Sequence, residues 1–193
     1  MLAKAKRDEQ ETLAGNRYNF VYTYSDQVTA STVKSCITQL QEWHRLHPGC
    51  DMEVVFNSPG GNVIDGLSLF DFIQYLRVSG HHITTSTIGM AASMAGILLQ
   101  AGDVRIMGQE SWLLIHEASF AAVGKFGEIE DTVEWVRKIQ KRVLRIFAER
   151  SQLSEKQIGT RWKRKDWWID AEDALKMGFI DEIRARPNGG KPR

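Results

Sequence analysis

Residues 89–96 read Gly-Met-Ala-Ala-Ser-Met-Ala-Gly and lie between two different hydrophobic patterns. The run before them, residues 83–88, is rich in β-branched side chains and predicts a strand, whereas the apolar run that begins at Ile97 predicts a helix. A serine at such a junction can present its hydroxyl on a sharp turn, with the free N–H groups of the helix aimed at the same point. Ser93 is therefore our candidate nucleophile. The alternative is that small residues here only let a helix pack closely on a sheet.

Strand and helix patterns alternate on both sides of this junction. The predicted strands are residues 18–24, 52–56, 82–88, 104–107, 112–115 and 179–183. One further helix is predicted after a cap at Thr29 or Ser31, and another after a cap at Ser154. The remaining predicted helices span residues 62–77, 128–150 and 171–177. This order favours an α/β fold with mostly parallel strands.

The two chain ends differ in composition from this alternating region. Residues 1–17 are charged and aperiodic, and residues 186–193 are rich in Pro, Gly and Lys. We therefore expect a flexible N-terminal arm, one domain over residues 18–185, and a disordered C-terminal tail.

Composition excludes several classes of function. The chain has 193 residues, 42% of them hydrophobic, and a net charge of +1, which suits one globular domain and gives no basis for binding nucleic acid. The chain has two cysteines, too few for a disulfide framework, so we expect reduced thiols and a cytoplasmic location. It has no Cys-x-x-Cys motif, and we expect neither a metal nor another cofactor. The N-terminus lacks the apolar core of a signal peptide, and polar residues and glycines interrupt residues 83–102, so we expect no membrane span.

His116 is the best candidate for the base that a serine nucleophile needs. It follows the apolar strand predicted over residues 112–115, where the chain leaves the sheet. His81 and His82 stand at the start of the strand that leads to Ser93, so they belong to the opposite end of the sheet.

A glycine-rich loop is expected beside Ser93. Residues 57–61, Asn-Ser-Pro-Gly-Gly, end the preceding strand, and adjacent parallel strands end at the same edge. The two glycines leave one N–H free to point inward, and the Met94 N–H supplies a second, as an oxyanion hole requires. An ordinary turn is the alternative for this loop in isolation.

The acidic partner of His116 stays open at this point. Pattern alone leaves four candidates: Asp103, Glu117, Asp166 and Asp170.

Several motifs in fixed order give the chain a resemblance to a known family. They are residues 57–61 with Gly66, residues 89–94, Ile115-His116, and Ala171-Glu172-Asp173-Ala174 followed by Gly178-Phe179-Ile180-Asp181. From about residue 50 to 184 the chain resembles the ClpP family, the proteolytic subunits of Clp protease.

The resemblance implies roles for five residues. Ser93 corresponds to the family's nucleophile, His116 to its base and Asp166 to its acid. Gly61 and Met94 correspond to the residues whose N–H groups form its oxyanion hole.

The resemblance also implies an architecture and an activity. The ClpP/crotonase fold has repeated β-β-α units and a protruding handle helix, which corresponds to residues 128–150. In the family this helix interleaves with that of a facing ring, and two stacked heptamers enclose the active sites. The implied function is that of an ATP-dependent Clp-type serine endopeptidase, which cleaves unfolded polypeptides fed by an AAA+ unfoldase.

Three departures from the family pattern indicate a divergent branch. Residues 1–17 are charged where the family has axial-loop residues, Arg164 replaces the first acid of an acid-base-acid run, and Met90 replaces a common Gln. One such branch is the phage and prophage ClpP-like proteases, which makes head maturation an alternative function.

Other functions remain as alternatives. A catalytically silent ring subunit would keep the assembly without turnover. A Ser-Lys peptidase like the signal-peptide peptidases would use Lys125, and a crotonase-type acyl-CoA enzyme would use the oxyanion hole without Ser93 and His116.

Overall fold

The computed structural model describes residues 20–184. The predicted arm, the first residues of the strand predicted over 18–24, and the predicted tail lie outside these residues. The elements are β1 (Val21–Tyr24), α1 (Ala30–Leu46), β2 (Met52–Ser58), α2 (Val63–Val78), β3 (Ile83–Ala92), α3 (Met94–Leu99), β4 (Val104–Gly108), β5 (Trp112–Ile115), α4 (Phe126–Glu149), α5 (Glu155–Trp162), β6 (Trp167–Asp170), α6 (Ala171–Met177) and β7 (Glu182–Arg184).

One sheet contains the seven strands of the described region, and the α/β prediction is confirmed. Strands β1, β2, β3, β4 and β7 are neighbours in that order and are all parallel. Strand β3 is the longest, and its last residues, Met90–Ala92, leave β4 and pair in parallel with β5. Strand β5 pairs in turn with β6, which runs antiparallel to it. The end of β3 therefore lies between the loop after β2 and the end of β5.

Capping and apolar spacing explain where the first two helices form. The Thr29 hydroxyl accepts the Thr32 N–H at the start of α1, and the Asn62 side chain accepts the N–H groups of Ile64 and Asp65 at the start of α2. Buried side chains then recur three or four residues apart on both helices: Val33, Cys36 and Leu40 on α1, and Leu69, Ile73 and Leu76 on α2. Both cysteines are buried and unpaired.

The long helix α4 is packed on the domain along its C-terminal half only. Its buried side chains are Val136, Ile139, Val143, Ile146 and Phe147. The apolar positions of this helix begin at Ile129 in the sequence, but Ile129 and the preceding Phe126 are exposed, the latter by 77%. The first turns therefore extend past the elements that bury the rest of the helix.

The predicted last strand was placed too early. Helix α6 closes at Gly178, and the Phe179 N–H donates back to the Ala174 carbonyl, so this residue completes a helix end. Phe179 and Ile180 are buried core residues, and β7 begins only at Glu182. None of the helices within residues 20–184 has both the length and the apolar character needed to cross a membrane.

Candidate active site

Ser93 occupies a strained backbone position between β3 and α3. Its φ of 54° and ψ of −120° lie in a region that residues with a Cβ rarely adopt. The Ser93 N–H donates to the Leu114 carbonyl of β5 at 2.9 Å, which anchors the turn to the sheet. The side chain makes no capping hydrogen bond to α3 and is partly exposed. Its hydroxyl is therefore not used to stabilise the helix that follows.

The Gly60-Gly61 loop lies directly against this turn. Gly60 has φ +87°, and a Cβ at this position would lie 2.5 Å from the Ala92 carbonyl oxygen and 2.7 Å from the Ser93 Cβ. A side chain is excluded here both by backbone conformation and by space. The loop thus approaches the Ser93 turn as closely as backbone packing allows.

Two backbone N–H groups lie on the Ser93 side of this loop. Gly60 accepts the Val28 N–H and Asn62 donates to the Val28 carbonyl, both at 2.8 Å, so Gly61 between them directs its own N–H away from Val28. The Met94 N–H is the first of helix α3, where no intrahelical acceptor exists. The Gly61 and Met94 amides are therefore candidate donors to a group bound at Ser93.

The pairing of β3 with β5 places His116 at the same edge of the sheet as Ser93. Ala92 is paired with Leu114, so the residues that follow these two strands, Ser93 and His116, leave the sheet at one edge. His116 and Ser93 line one pocket, and the His116 side chain is 23% exposed.

Asp166 faces His116 because of the antiparallel register of β5 and β6. The last pair of this ladder is Ile115 with Trp167, and one further step places His116 opposite Asp166. The distance from His116 Nδ1 to Asp166 Oδ1 is 3.8 Å, which is an ion-pair separation and longer than a hydrogen bond. The Asp166 side chain is 63% exposed.

The other three carboxylates have other partners, although Glu117 lines the same pocket as Ser93 and His116. Asp103 binds the Arg77 Nε at 2.6 Å and accepts the Ile83 N–H, at the opposite end of the sheet. Asp170 caps helix α6 by accepting the Asp173 N–H. Glu117 accepts the Arg164 N–H at 2.9 Å.

The pocket in front of Ser93 is largely apolar. Apolar side chains that line it come from four helices: Val63, Met94, Ile97, Val143, Phe147 and Trp162. Gln140 adds a polar group from α4. Sequence reasoning did not place Gln140, Val143, Phe147 or Trp162 at the site. The apolar stripe of α4 was the available signal, but it carries no information about which element it covers.

The family model of the Clp protease matches residues 5–187, which is nearly the whole chain. The chain belongs to the Clp protease family. The resemblance inferred from its motifs is thereby confirmed, as is the fold class.

Clp proteases of several bacteria are similar to this chain over most of their length. Each of the following is named as an ATP-dependent Clp protease proteolytic subunit. The protein of Bacteroides fragilis is 34% identical over 170 residues, which cover 87% of this chain and 79% of the relative. That of Porphyromonas gingivalis is 30% identical over 181 residues (93% and 78%), and that of Deinococcus radiodurans is 29% identical over 187 residues (95% and 88%).

Membership of the Clp protease family assigns the chain to the serine peptidases. The crotonase-type alternative is set aside by this match. Within residues 20–184 no group of three or more His, Cys, Asp or Glu side chains is arranged to hold a metal ion.

Proposed function

We propose that Ser93, His116 and Asp166 are the catalytic triad of an endopeptidase that cleaves unfolded polypeptides. The observation that carries this proposal is the β5–β6 register, which sets Asp166 opposite His116 while His116 shares a pocket with Ser93. In this mechanism His116 removes the Ser93 proton during attack on the peptide carbonyl and returns it to the leaving amine. Asp166 orients the imidazole and stabilises its charged form.

Gly61 and Met94 are the proposed oxyanion hole. Attack on the carbonyl develops negative charge on its oxygen, and two fixed N–H donors stabilise that charge without reorganisation. The close contact between the glycine loop and the Ser93 turn supports this assignment, since both donors belong to segments that touch Ser93. Loss of one such donor costs about 100- to 1,000-fold in rate in other serine peptidases.

The apolar pocket supports a preference for an apolar side chain at the cleaved bond. Phe147 and Trp162, both almost fully buried, form part of its wall, and burying apolar surface against them would favour binding. An extended chain is the proposed form of the substrate, because folded proteins seldom expose such side chains with a free backbone.

We also propose that residues 18–185 form one protease domain that assembles into heptameric rings, stacked in pairs, in the cytoplasm. The exposed apolar side chains on the first turns of α4 support an assembly, and the two free thiols are typical of a reducing compartment. An AAA+ unfoldase is the proposed partner, and ATP dependence would then lie with that partner. A phage head-maturation role or a silent ring subunit would retain the assembly and change its substrate or its turnover.

The decisive test is the Ser93→Ala variant with Ser119→Ala as its control. Ser119 lies exposed in the loop after His116, so its loss is expected to leave activity unchanged. We expect Ser93→Ala to abolish both labelling by a fluorophosphonate and hydrolysis of a fluorogenic peptide. Full labelling of Ser93→Ala would overturn the triad, and an assembled wild-type protein with unreactive Ser93 would favour the silent subunit. Undiminished activity of His116→Ala would revive the Ser-Lys alternative with Lys125.

A further inference from the structure

Glu117 connects the base to the turn that leads into Asp166. Its Oε2 accepts a hydrogen bond from the Arg164 backbone N–H at 2.9 Å. A bond from an N–H to a carboxylate is stronger than one between neutral groups. The residue after His116 is thereby tied to the residue two positions before Asp166.

This bond lies beyond the last backbone pair of β5 and β6. On one side of the His116–Asp166 pair, Ile115 is held opposite Trp167 by the strand ladder. On the other side the ladder has ended, and the Glu117–Arg164 bond takes its place. The two facing residues are thus bracketed by one tie on each side.

Arg164 needs this support because its backbone is in an unfavourable conformation. Its φ is +58°, and within residues 20–184 it shares a positive φ with only one other non-glycine residue, Ser93. An L-residue in the left-handed region is disfavoured unless its surroundings hold it there. The Lys165 N–H reaches back to the Trp162 carbonyl at 3.2 Å, so the chain makes a tight turn between α5 and β6.

Asp166 itself has little to hold it. Its side chain is 63% exposed and its Oδ1 is 3.8 Å from His116 Nδ1, so a small shift of the turn would separate the two groups. A change of this kind in a catalytic geometry has a large effect on rate.

We propose that Glu117 is a positioning residue that holds Asp166 against His116 by fixing the turn at Arg164. The proposal rests on the triad proposed above. It assigns to Glu117 the role of a hydrogen-bond acceptor, which the amide oxygen of a glutamine could also fill with a somewhat weaker bond.

The first test compares Glu117→Ala with Glu117→Gln. We expect Glu117→Ala to lower kcat about tenfold and to change KM by less than about threefold, whereas Glu117→Gln keeps kcat within about threefold because its amide oxygen still accepts the N–H. The rate of fluorophosphonate labelling, measured on the assembled fraction, should follow kcat. A fully active Glu117→Ala, or an equal loss in both variants, would overturn the proposal.

The second test is a double-mutant cycle with Arg164→Gly. Glycine adopts φ +58° without penalty and keeps the N–H, so the turn depends less on Glu117. In the Arg164→Gly background we expect Glu117→Ala to lower kcat by only about threefold. The same tenfold loss in both backgrounds would show that Glu117 acts by another route.

The Ser93→Ala variant, measured in the same assays, distinguishes failure of the proposed triad from failure of the positioning role of Glu117. Activity retained in Ser93→Ala would refute the triad itself. An inactive Ser93→Ala together with a fully active Glu117→Ala would leave the triad in place and refute only the positioning role.

Discussion

Gly60 holds the glycine loop against the Ser93 turn. We expect Gly60→Ala to lower kcat/KM at least about 100-fold, because the added Cβ would lie 2.5 Å from the Ala92 carbonyl oxygen and displace the proposed oxyanion donors. Peptide hydrolysis and fluorophosphonate labelling measure this effect. Gly159→Ala in α5 is the control, since a Cβ there would lie no closer than 3.9 Å to its nearest neighbour, the Leu144 Cδ2, and the change should leave activity intact. Equal activities of the two variants would contradict the predicted role of the loop.

Asp166 and Asp170 stand four residues apart and allow a matched comparison. Asp166→Asn keeps the shape of the side chain and removes its charge, and we expect kcat to fall about 100-fold. This is less than the 10,000-fold known for a buried triad aspartate, because Asp166 is 63% exposed. Asp170→Asn retains a good helix cap and should leave kcat unchanged. Steady-state kinetics would contradict the assignment if Asp166→Asn matched the wild type or if Asp170→Asn were the more damaged variant.

At the scale of elements, the Arg105–Asp181 pair joins β4 to the segment before β7. The Arg105 side chain is 7% exposed, and Asp181 accepts its Nε and its Nη2, at 2.9 and 2.7 Å, as well as its backbone N–H. Arg105 also donates to the Arg150 carbonyl at the end of α4. Burial raises the pKa of the Asp181 carboxyl, but the hydrogen bonds and charge of Arg105 outweigh it, so the pKa is lowered.

A lowered pKa in the folded state makes stability depend on pH. The contribution of Asp181 is fully present above its unfolded pKa of about 4 and is lost as pH falls through its lower folded value. We expect Asp181→Asn to cost about 2 kcal/mol near pH 7, less than for a fully buried pair because Asp181 is 40% exposed. Its deficit in unfolding free energy should shrink between about pH 5 and pH 3.

Urea unfolding at several pH values measures this deficit. Asp26→Asn, in an exposed turn, is the control and should track the wild type throughout. A deficit for Asp181→Asn that did not change with pH would show that the ion pair does not supply the stability.

For the whole molecule, the N-terminal half of α4 is the surface we expect to contact another subunit, because large apolar side chains are exposed on it. Phe126 is 77% exposed and Trp135 51% exposed on a helix of 24 residues. We expect Phe126→Asp to shift the native mass toward smaller species and to lower peptidase activity with it. Leu46→Asp at the end of α1, also on an exposed apolar residue, is the control and should keep the wild-type mass. A monomeric wild type in native mass spectrometry would contradict the proposed ring.

Local pattern predicted most elements, and its errors have a common cause. The strand-to-helix junction at Ser93 and the caps at Thr29 and Ser154 depend on residues close in sequence, so they were visible without coordinates. The span of α4 was predicted within two residues, but which of its turns are buried depends on distant elements. Phe179 was predicted to begin a strand because the sequence there is apolar. It is apolar because it is buried, but its N–H bonds to the end of α6 and not to a neighbouring strand.

The amino-acid sequence by itself determined the serine on its turn, the glycine loop, and the histidine after a strand, since each follows from short-range propensity and chain reversal. The family resemblance implied Asp166, but the residue pattern left four carboxylates open, and only the tertiary structure shows which of them faces His116 across paired strands. That choice depends on the register between β5 and β6, two strands more than 50 residues apart, and a shift of one residue would turn the opposing side chain to the other face. The same register placed Glu117 against Arg164, a contact that neither residue signals alone.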